Sequence, residues 1–310
     1  MNSIFQKALI LLLLVFGASA CKSKKDLSKK SDLDSTNALL WEVSGNGLSA
    51  PSFVFGTIHI IGADDYFLPN GTLTAIDQSK KVMFEIDMNE MNDMSNMMSL
   101  MGKAFMKDGL TLKDLLSSDD YTLVQQHFQR IGLPLMFLER MKPMFLSALA
   151  YGDMDPNGLS SGSLKSYEME LMKLSQNKSL PVGGLESIEF QLGVFDQIPY
   201  KDQAKMLIET IKAGNSDNDE FKIMVDMYKR QDIRSMVQMI DSEESGMGKY
   251  EDILLSNRNK NWIPIMETNM KTQSTFFAVG AGHLGGKEGV LNLLKKAGYK
   301  LRPLSTEPNL

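Results

Sequence analysis

Residues 53–62 read Phe-Val-Phe-Gly-Thr-Ile-His-Ile-Ile-Gly, and residues 277–286 read Phe-Ala-Val-Gly-Ala-Gly-His-Leu-Gly-Gly. Both stretches carry phenylalanine, glycine, histidine, an aliphatic residue and glycine at the same offsets. Each predicts an apolar strand that ends in a Gly-x-x-His turn, where glycine allows a sharp bend and the close approach of another group. A histidine at the carboxyl end of a strand in an open sheet faces the usual ligand crevice. We therefore expect the two strands to be neighbours in one sheet, with both turns at the same edge.

The chain has three histidines, and two of them, His59 and His283, occupy these matched turns. An isolated histidine is most often structural, but two histidines in equivalent positions favour a shared site. The third, His127, lies on the polar flank of a predicted helix, and we interpret it as structural.

Two carboxylates lie in or beside apolar strands. Glu85 is inside the predicted strand 81–88, and a carboxylate is almost never buried without a partner. A cation should therefore satisfy it, either a metal ion or Arg258. Glu186 follows the predicted strand 180–185. Three roles are open for Glu186: a metal ligand, the base that takes a proton from water, or the ion-pair partner of Arg258.

The side chains of His59, Glu85 and His283 suit a divalent metal. Neutral imidazoles and a carboxylate form a ligand set that Zn²⁺, Mn²⁺ and Co²⁺ accept, and such a set leaves positions open for water. We therefore predict that these three residues bind a divalent metal ion whose identity the residues do not fix.

The remaining pattern predicts an α+β fold. The predicted strands are residues 41–44, 52–55, 81–88, 180–185, 275–279 and 299–301. The first two form a hairpin. Helical blocks are predicted over residues 89–179, 187–232, 251–271 and 287–296. We expect a central mixed β-sheet built from the N- and C-terminal segments, with a large helical insertion between them.

The N-terminus predicts export. Lys7 is the one charged residue in residues 1–20, and it precedes an apolar run over residues 8–16, which is typical of a secretory signal peptide. The run is shorter than the roughly 20 residues that a membrane-spanning helix needs.

The residues after this run predict a lipid anchor. Ala18-Ser19-Ala20-Cys21 resembles a bacterial lipobox, in which the cysteine is acylated. The alternative is an ordinary signal peptide followed by an incidental thiol. Residues 21–36 are polar and charged, so we expect them to be a tether, with the folded domain at residues 37–310.

The composition argues against nucleic-acid binding. The 33 Lys and Arg face 38 Asp and Glu, a formal net charge of −5, whereas a nucleic-acid surface requires a basic face. The single cysteine excludes an intramolecular disulfide and a cysteine-based zinc cluster. The partners we expect are a peptide or small-molecule substrate and, through the anchor, a membrane. The oligomeric state is not indicated.

A set of motifs over about residues 38–302 resembles the TraB/GumN family. In chain order these motifs are Gly56-Thr57-Ile58-His59, Phe84-Glu85-Ile86-Asp87, Lys142-Pro143, Gly184-Leu185-Glu186-Ser187 with Gln191-Leu192, Arg258-Asn259 and Gly280-Ala281-Gly282-His283. One departure is Ser166-Tyr167-Glu168, which stands where the family often has glycine, an apolar residue and aspartate. Glu168 keeps an acidic residue at the position of that aspartate.

The resemblance implies a fold, a site and an activity. The family is related to the Tiki proteins, which are membrane-tethered, Mn²⁺- or Co²⁺-dependent proteases. It is related more distantly to erythromycin esterase and to the haem-iron-binding ChaN proteins. This relationship implies an α+β fold in which both Gly-x-x-His turns and the glutamate face one site. The residues implied for that site are His59, Glu85, Arg258 and His283.

We therefore expect a lipid-anchored, metal-dependent hydrolase, a Tiki-like peptidase that is exported and faces the periplasm or the cell surface. Its metal would be Mn, Co or Zn. The candidate catalytic residues are Glu85, Glu186 and Arg258, and Arg258 would stabilise an oxyanion or orient Glu85. The alternative is a non-catalytic lipoprotein of ChaN-like type that holds haem, iron or another ligand in the same crevice.

The lipid-anchor prediction is tested by Cys21→Ser, which removes the acyl-accepting thiol. Each buried acyl CH₂ group contributes about 0.8 kcal/mol to membrane binding, so we expect the variant to leave the membrane fraction of expressing cells. Ser28→Ala in the tether is the control and should fractionate like the wild type. If fractionation and immunoblotting recover Cys21→Ser from the membrane only with detergent, as for the wild type, the lipobox prediction is wrong.

Overall fold

The computed structural model describes residues 36–92, 102–150, 158–214, 220–240 and 248–305. The predicted signal peptide (1–20), the predicted lipidation site Cys21 and residues 22–35 of the predicted tether lie outside these ranges. Within the described ranges, no helix combines the length and the apolar character needed to cross a bilayer.

A mixed sheet forms the centre of the fold, which confirms the predicted α+β class. The strands are β1 (Leu40–Ser44), β2 (Ser52–Thr57), β3 (Ile60–Gly62), β4 (Lys81–Ile86), β5 (Leu164–Ser166), β6 (Val182–Glu186), β7 (Thr275–Gly280) and β8 (Lys300–Pro303). Six of them form one sheet in the order β6-β4-β7-β2-β1-β8, while β3 and β5 pair separately.

Four adjacent strands of this sheet, β6, β4, β7 and β2, are parallel. The strands β1 and β8 complete the sheet in antiparallel orientation, and β1 forms the predicted hairpin with β2. In the β2–β7 pair, Phe55 lies opposite Ala278 and Thr57 lies opposite Gly280. The two Gly-x-x-His strands are thus parallel neighbours, and their turns leave the sheet at the same edge, as predicted.

Helices make up most of the rest of the described chain. They are α1 (Thr72–Gln78), α2 (Leu112–Leu115), α3 (Ser118–Arg130), α4 (Pro143–Ala150), α5 (Gly158–Ser161), α6 (Tyr167–Asn177), α7 (Ile188–Phe195), α8 (Tyr200–Gly214), α9 (Glu220–Lys229), α10 (Ile233–Ile240), α11 (Asn257–Thr272) and α12 (Val290–Lys296). Every residue of β2 and β7 is buried, so both faces of the sheet are covered at its centre.

The structure contains a strand, β3, and a helix, α1, that were not predicted, and it differs from the predicted elements in three further places. The block predicted as helical over residues 89–179 contains the strand β5. This strand was not predicted because its three residues are too few to show the alternating pattern of a strand. The last predicted helix begins at Val290 rather than at 287, because a turn closed by Gly289 N and Gly286 O precedes it. The helix predicted from residue 251 opens with a π-helix, Asp252–Ser256.

The strand pair β3–β5 brings the middle of the chain to the first histidine turn. Ile60 lies opposite Ser166, and the backbone N–H of Tyr167 donates to the carbonyl oxygen of His59 at 2.9 Å. Residues more than 100 positions apart are therefore held side by side at the edge where β2 ends.

Candidate functional site

The site lies where β2, β7 and β4 end beside one another, and two glycines allow the turns to meet. A Cβ at Gly56 would lie 2.6 Å from Cδ1 of Leu284 and 3.1 Å from Cα of Ala281. A Cβ at Gly280 would lie 3.1 Å from Nε2 of His59 and 3.2 Å from Oε1 of Glu85. Each turn therefore approaches the other where its glycine has no side chain.

His59 has a strained backbone and a carboxylate partner. Its φ is +47°, in the left-handed region that residues other than glycine seldom adopt, and such outliers often mark functional sites. Its Nδ1 lies 2.8 Å from Oε1 of Glu168. Burial lowers the pKa of His59, but the neighbouring Glu168 carboxylate outweighs burial, so the pKa is raised overall.

Glu168 is a buried carboxylate in the first turn of α6, and we did not predict it as a site residue. Besides facing His59, its Oε1 accepts a hydrogen bond from Oγ1 of Thr57 at 2.8 Å, and its Oε2 accepts one from Oγ of Ser166 at 3.3 Å. The signal in the sequence is the acid of Ser166-Tyr167-Glu168, but no local pattern there indicates that Glu168 faces His59.

Glu85, the fifth residue of β4, is hydrogen-bonded through both oxygens. Its Oε1 accepts from the backbone N–H of Gly280 at 2.7 Å. Its Oε2 accepts from NH2 of Arg258 at 2.6 Å and from Nε2 of Gln191 at 3.1 Å. Burial alone would raise the pKa of Glu85, but Arg258 and the other contacts outweigh burial and hold the pKa at about 2.

Arg258, on α11, is the buried cation at the centre of the site. Its NH2 donates to Glu186 Oε1 at 2.6 Å, as it does to Glu85, and these three side chains are only 5–9% exposed. Its NH1 donates to the carbonyl oxygen of Leu254 in the π-helix at 3.0 Å and lies 3.1 Å from Nε2 of His283. The sequence left open an ion pair of Arg258 with Glu85 and one with Glu186. Both ion pairs are present in the structure.

Glu186, the last residue of β6, carries the second carboxylate. Its Oε1 also accepts from Nε of Arg258 at 3.0 Å, and its Oε2 accepts from Nε1 of Trp262 at 2.9 Å. Burial raises the pKa of Glu186, and the opposing effect of Arg258 is too small to cancel it.

His283 ends the 3₁₀ turn that follows β7. Its Nδ1 lies 2.6 Å from Oδ1 of Asn259, its ring centroid lies 4.4 Å from that of Trp262, and its Nε2 lies 3.8 Å from Oε1 of Glu85. Burial lowers the pKa of His283, and although Glu85 opposes this effect, the pKa falls to about 3. The ring is therefore neutral at physiological pH.

The structure brings all of the predicted site residues together. They are His59, Glu85, Glu186, Arg258 and His283. His127 lies elsewhere, on α3, where its Nδ1 is 3.1 Å from NH2 of Arg130. Sequence reasoning missed Glu168 and the contact of Asn259 with His283, because no local pattern shows which acceptor faces a given ring nitrogen.

Among the residues that the structure describes, no three His, Cys, Asp or Glu side chains are close enough to hold a metal as they stand. Arg258 instead supplies the cation for both carboxylates. The donor set nevertheless suits a metal in kind, because it combines a neutral imidazole at His283 with the ionised carboxylate of Glu85.

Two further features of the site favour an added cation. Glu85 and Glu186 bring two carboxyl groups to one guanidinium, so the cluster has an excess of acid groups. Within the described residues, Nε2 of His59 has no hydrogen-bond partner, and the buried Oε1 of Gln191 has none either. The site therefore holds acceptor atoms that the protein itself does not use.

Known proteins resemble the chain over most of its length. The model of the TraB/PrgY/gumN family matches residues 39–303. "Metalloprotease TIKI1" of Xenopus tropicalis is 24% identical, with 93% of this chain aligned to 66% of the relative. "Metalloprotease TIKI2" of Danio rerio is 22% identical, over 90% of this chain and 63% of the relative.

A third relative is the "Metalloprotease TIKI homolog" of Nematostella vectensis, which is 23% identical over 97% of this chain and 76% of its own length. The chain thus spans slightly less than two thirds of the TIKI1 and TIKI2 relatives named above. No solved structure matches the chain.

Acid should destabilise the protein through His283 and Glu85. Both pKa values are lower in the folded chain than their ordinary values of 6.5 and 4.5, so the stability they contribute is present at neutral pH and is lost on acidification. The loss through His283 runs from about pH 6.5 to about pH 3, and that through Glu85, about 3 kcal/mol in full, runs from about pH 4.5 to about pH 2.

The measurement is the free energy of unfolding by denaturant at several pH values between about 6.5 and about 4.5. In this window His59 contributes no opposing slope, because its pKa is raised and its contribution is complete below its ordinary value. The raised pKa of Glu186 contributes a slope of opposite sign, which the wild type and the variants share, so the slopes are compared between them. We expect His283→Gln to flatten the curve, whereas the control Gln125→Ala, which replaces an exposed side chain without a titratable group, should keep the wild-type slope. A wild-type slope in His283→Gln would contradict the prediction.

Proposed function

The chain belongs to the TraB/PrgY/gumN family, and from this membership and its site we propose that it is a metal-dependent hydrolase that cleaves peptides. The observation that carries the proposal is the convergence of His59, Glu85 and His283 at the ends of three adjacent parallel strands. Relatives named metalloproteases support peptide bonds as the target.

His59, Glu85 and His283 would hold the metal ion. A divalent cation supplies Lewis-acid polarisation of a carbonyl group and favours the ionisation of water. The single lone pair on Nε2 of His283 cannot bind a metal ion and accept a hydrogen bond from Arg258 at the same time. His283 would therefore become a ligand only after NH1 of Arg258 moves away from Nε2. Mn, Co and Zn all accept this ligand set, and we propose no choice among them.

The substrate would approach from the side of His59. The His59 side chain is 15% exposed, whereas those of Glu85, Arg258 and Glu186 are 5–9% exposed. The positive charge of Arg258 would stabilise the negative charge that develops on a substrate carbonyl oxygen, while its five N–H groups keep their protein partners.

Glu186 is the better proton acceptor of the two carboxylates. The pKa of its carboxyl group is raised by burial, whereas that of Glu85 is about 2. In the proposed reaction the water oxygen bonds to the carbonyl carbon and its proton passes to Glu186. That proton reaches the leaving nitrogen as the C–N bond breaks, so Glu186 ends in its starting state.

We also propose that a lipid anchor holds the enzyme on a membrane and that it acts outside the cytoplasm. The support for this is the Ala18-Ser19-Ala20-Cys21 lipobox after an apolar run, and the polar residues that follow it. The anchor would keep the enzyme on the membrane, facing the periplasm or the cell surface.

The proposal is tested by peptide hydrolysis with the full-length protein in detergent. Activity on a mixed peptide library should disappear with a chelator and return with Mn²⁺, Co²⁺ or Zn²⁺. We expect His59→Ala and His283→Ala each to lower kcat/KM by about 100-fold or more, and the double variant to lose little beyond either, because the two residues act as one unit.

His127→Gln is the matched control, since it removes the histidine outside the site, and its kcat/KM should equal that of the wild type. Activity that resists the chelator would refute the metal-dependent mechanism. Stoichiometric metal binding without cleavage of any peptide would instead support the alternative, a lipoprotein that binds a ligand without turnover.

A further inference from the structure

The hydrogen bonds around His59 determine which of its ring nitrogens carries the proton in the neutral state. An ionised carboxylate can only accept hydrogen bonds, and the Glu168 oxygen that faces Nδ1 of His59 also accepts from the hydroxyl of Thr57. The Nδ1 atom must therefore be the N–H donor. Its lone pair is then on Nε2, which is the atom 3.1 Å from the Cβ position of Gly280.

The same conclusion holds for His283, through two independent contacts. The Nδ2 atom of Asn259 donates to the carbonyl oxygen of Glu288 at 2.9 Å, so its Oδ1 is the atom that faces Nδ1 of His283. That ring nitrogen must then be a donor. Arg258 has donors only, and its NH1 faces Nε2 at 3.1 Å, which again leaves the lone pair on Nε2.

His127 has the opposite environment. Its Nδ1 faces NH2 of Arg130, and because a guanidinium only donates, Nδ1 of a neutral His127 must be the acceptor. Its proton is then on Nε2. Of the three histidines in the chain, His59 and His283 are thus expected in the Nδ1–H form and His127 in the Nε2–H form. His127 therefore serves as an internal reference.

We propose that Glu168 at His59, and Asn259 together with Arg258 at His283, are positioning residues that hold both site imidazoles in the Nδ1–H tautomer and thereby keep both Nε2 lone pairs on the side of the ring that faces the site. The purpose of this arrangement, to present two imidazole ligands, rests on the proposed function, but the arrangement itself does not. Neutral imidazole in water favours the Nε2–H tautomer, which would turn an N–H towards the site and leave no lone pair there. A hydrogen-bond acceptor that faces Nδ1 of each ring reverses that preference.

Glu168 and Asn259 lie outside the Gly-x-x-His turns and come from different parts of the fold. Glu168 is brought to His59 by the β3–β5 strand pair and begins α6. Asn259 is next to Arg258 on α11, so one helix places both the residue that orients His283 and the cation that faces its other nitrogen.

The test is the tautomer state of each ring, read from long-range ¹H–¹⁵N correlation spectra of the full-length protein in detergent. Spectra are recorded at about pH 9, above the ordinary histidine pKa of about 6.5. We expect two Nδ1–H rings and one Nε2–H ring in the wild type, with the assignments taken from single His→Gln variants. A wild-type spectrum in which His59 or His283 is Nε2–H would overturn the proposal without any further variant.

Glu168→Met removes the acceptor at similar volume, and we expect His59 to change to the Nε2–H form while His127 and His283 keep their signals, which also verifies folding. In Asn259→Leu, NH1 of Arg258 still faces Nε2 of His283, so we expect His283 to keep the Nδ1–H form and to lose only the acceptor that fixes the orientation of its ring. Glu170→Gln, on the same helix but paired with Lys173 at the surface, is the control and should leave all three rings unchanged. An unchanged His59 ring in folded Glu168→Met would refute the role of Glu168.

A second readout is the affinity for Co²⁺ alone, measured by its absorption spectrum. Loss of Glu168 or Asn259 should weaken Co²⁺ binding by about 10- to 100-fold, whereas Glu170→Gln should not change it. Unchanged Co²⁺ affinity in both variants would refute the positioning role. If the tautomers and Co²⁺ affinities change as expected but the wild type cleaves no peptide, the proposed function fails and this inference stands.

Discussion

The guanidinium of Arg258 is the interaction on which the site depends. It donates to Glu85 and Glu186 from one nitrogen and faces His283 from another, all in side chains that are nearly excluded from water. Removing ions from water costs several kcal/mol each, so such a cluster persists only when its geometry satisfies every group. The requirement constrains the surrounding elements, because β4, β6 and α11 must end or pass at one point for these contacts to form.

The parallel sheet is what allows this convergence. Parallel neighbours end at the same edge, so residues at the ends of β2, β4, β6 and β7 approach one another although the chain between them is long. The glycines of the two turns permit the last step of the approach, since Gly56 faces the second turn and Gly280 faces His59. A side chain at either position would push apart the groups that form the site.

Much of this arrangement was predictable from local patterns. The apolar strands, the two matched turns and the buried position of Glu85 all appear as short runs of residues, and the α+β class follows from their order. The structure brings together all five predicted site residues. The strands β3 and β5 were missed because three residues carry no measurable period, and their pairing depends on segments far apart in the chain.

The sequence by itself determined which groups are available: two histidines in equivalent turns, two carboxylates at strand ends, and an arginine beside an asparagine. Only the tertiary structure decided how they are paired. Arg258 contacts both carboxylates at once, Glu168 stands behind His59, and Asn259 stands behind His283. These pairings join residues on different elements, and no local period or spacing encodes them. They arise because most buried donors and acceptors in a packed interior find a partner, whichever element supplies it.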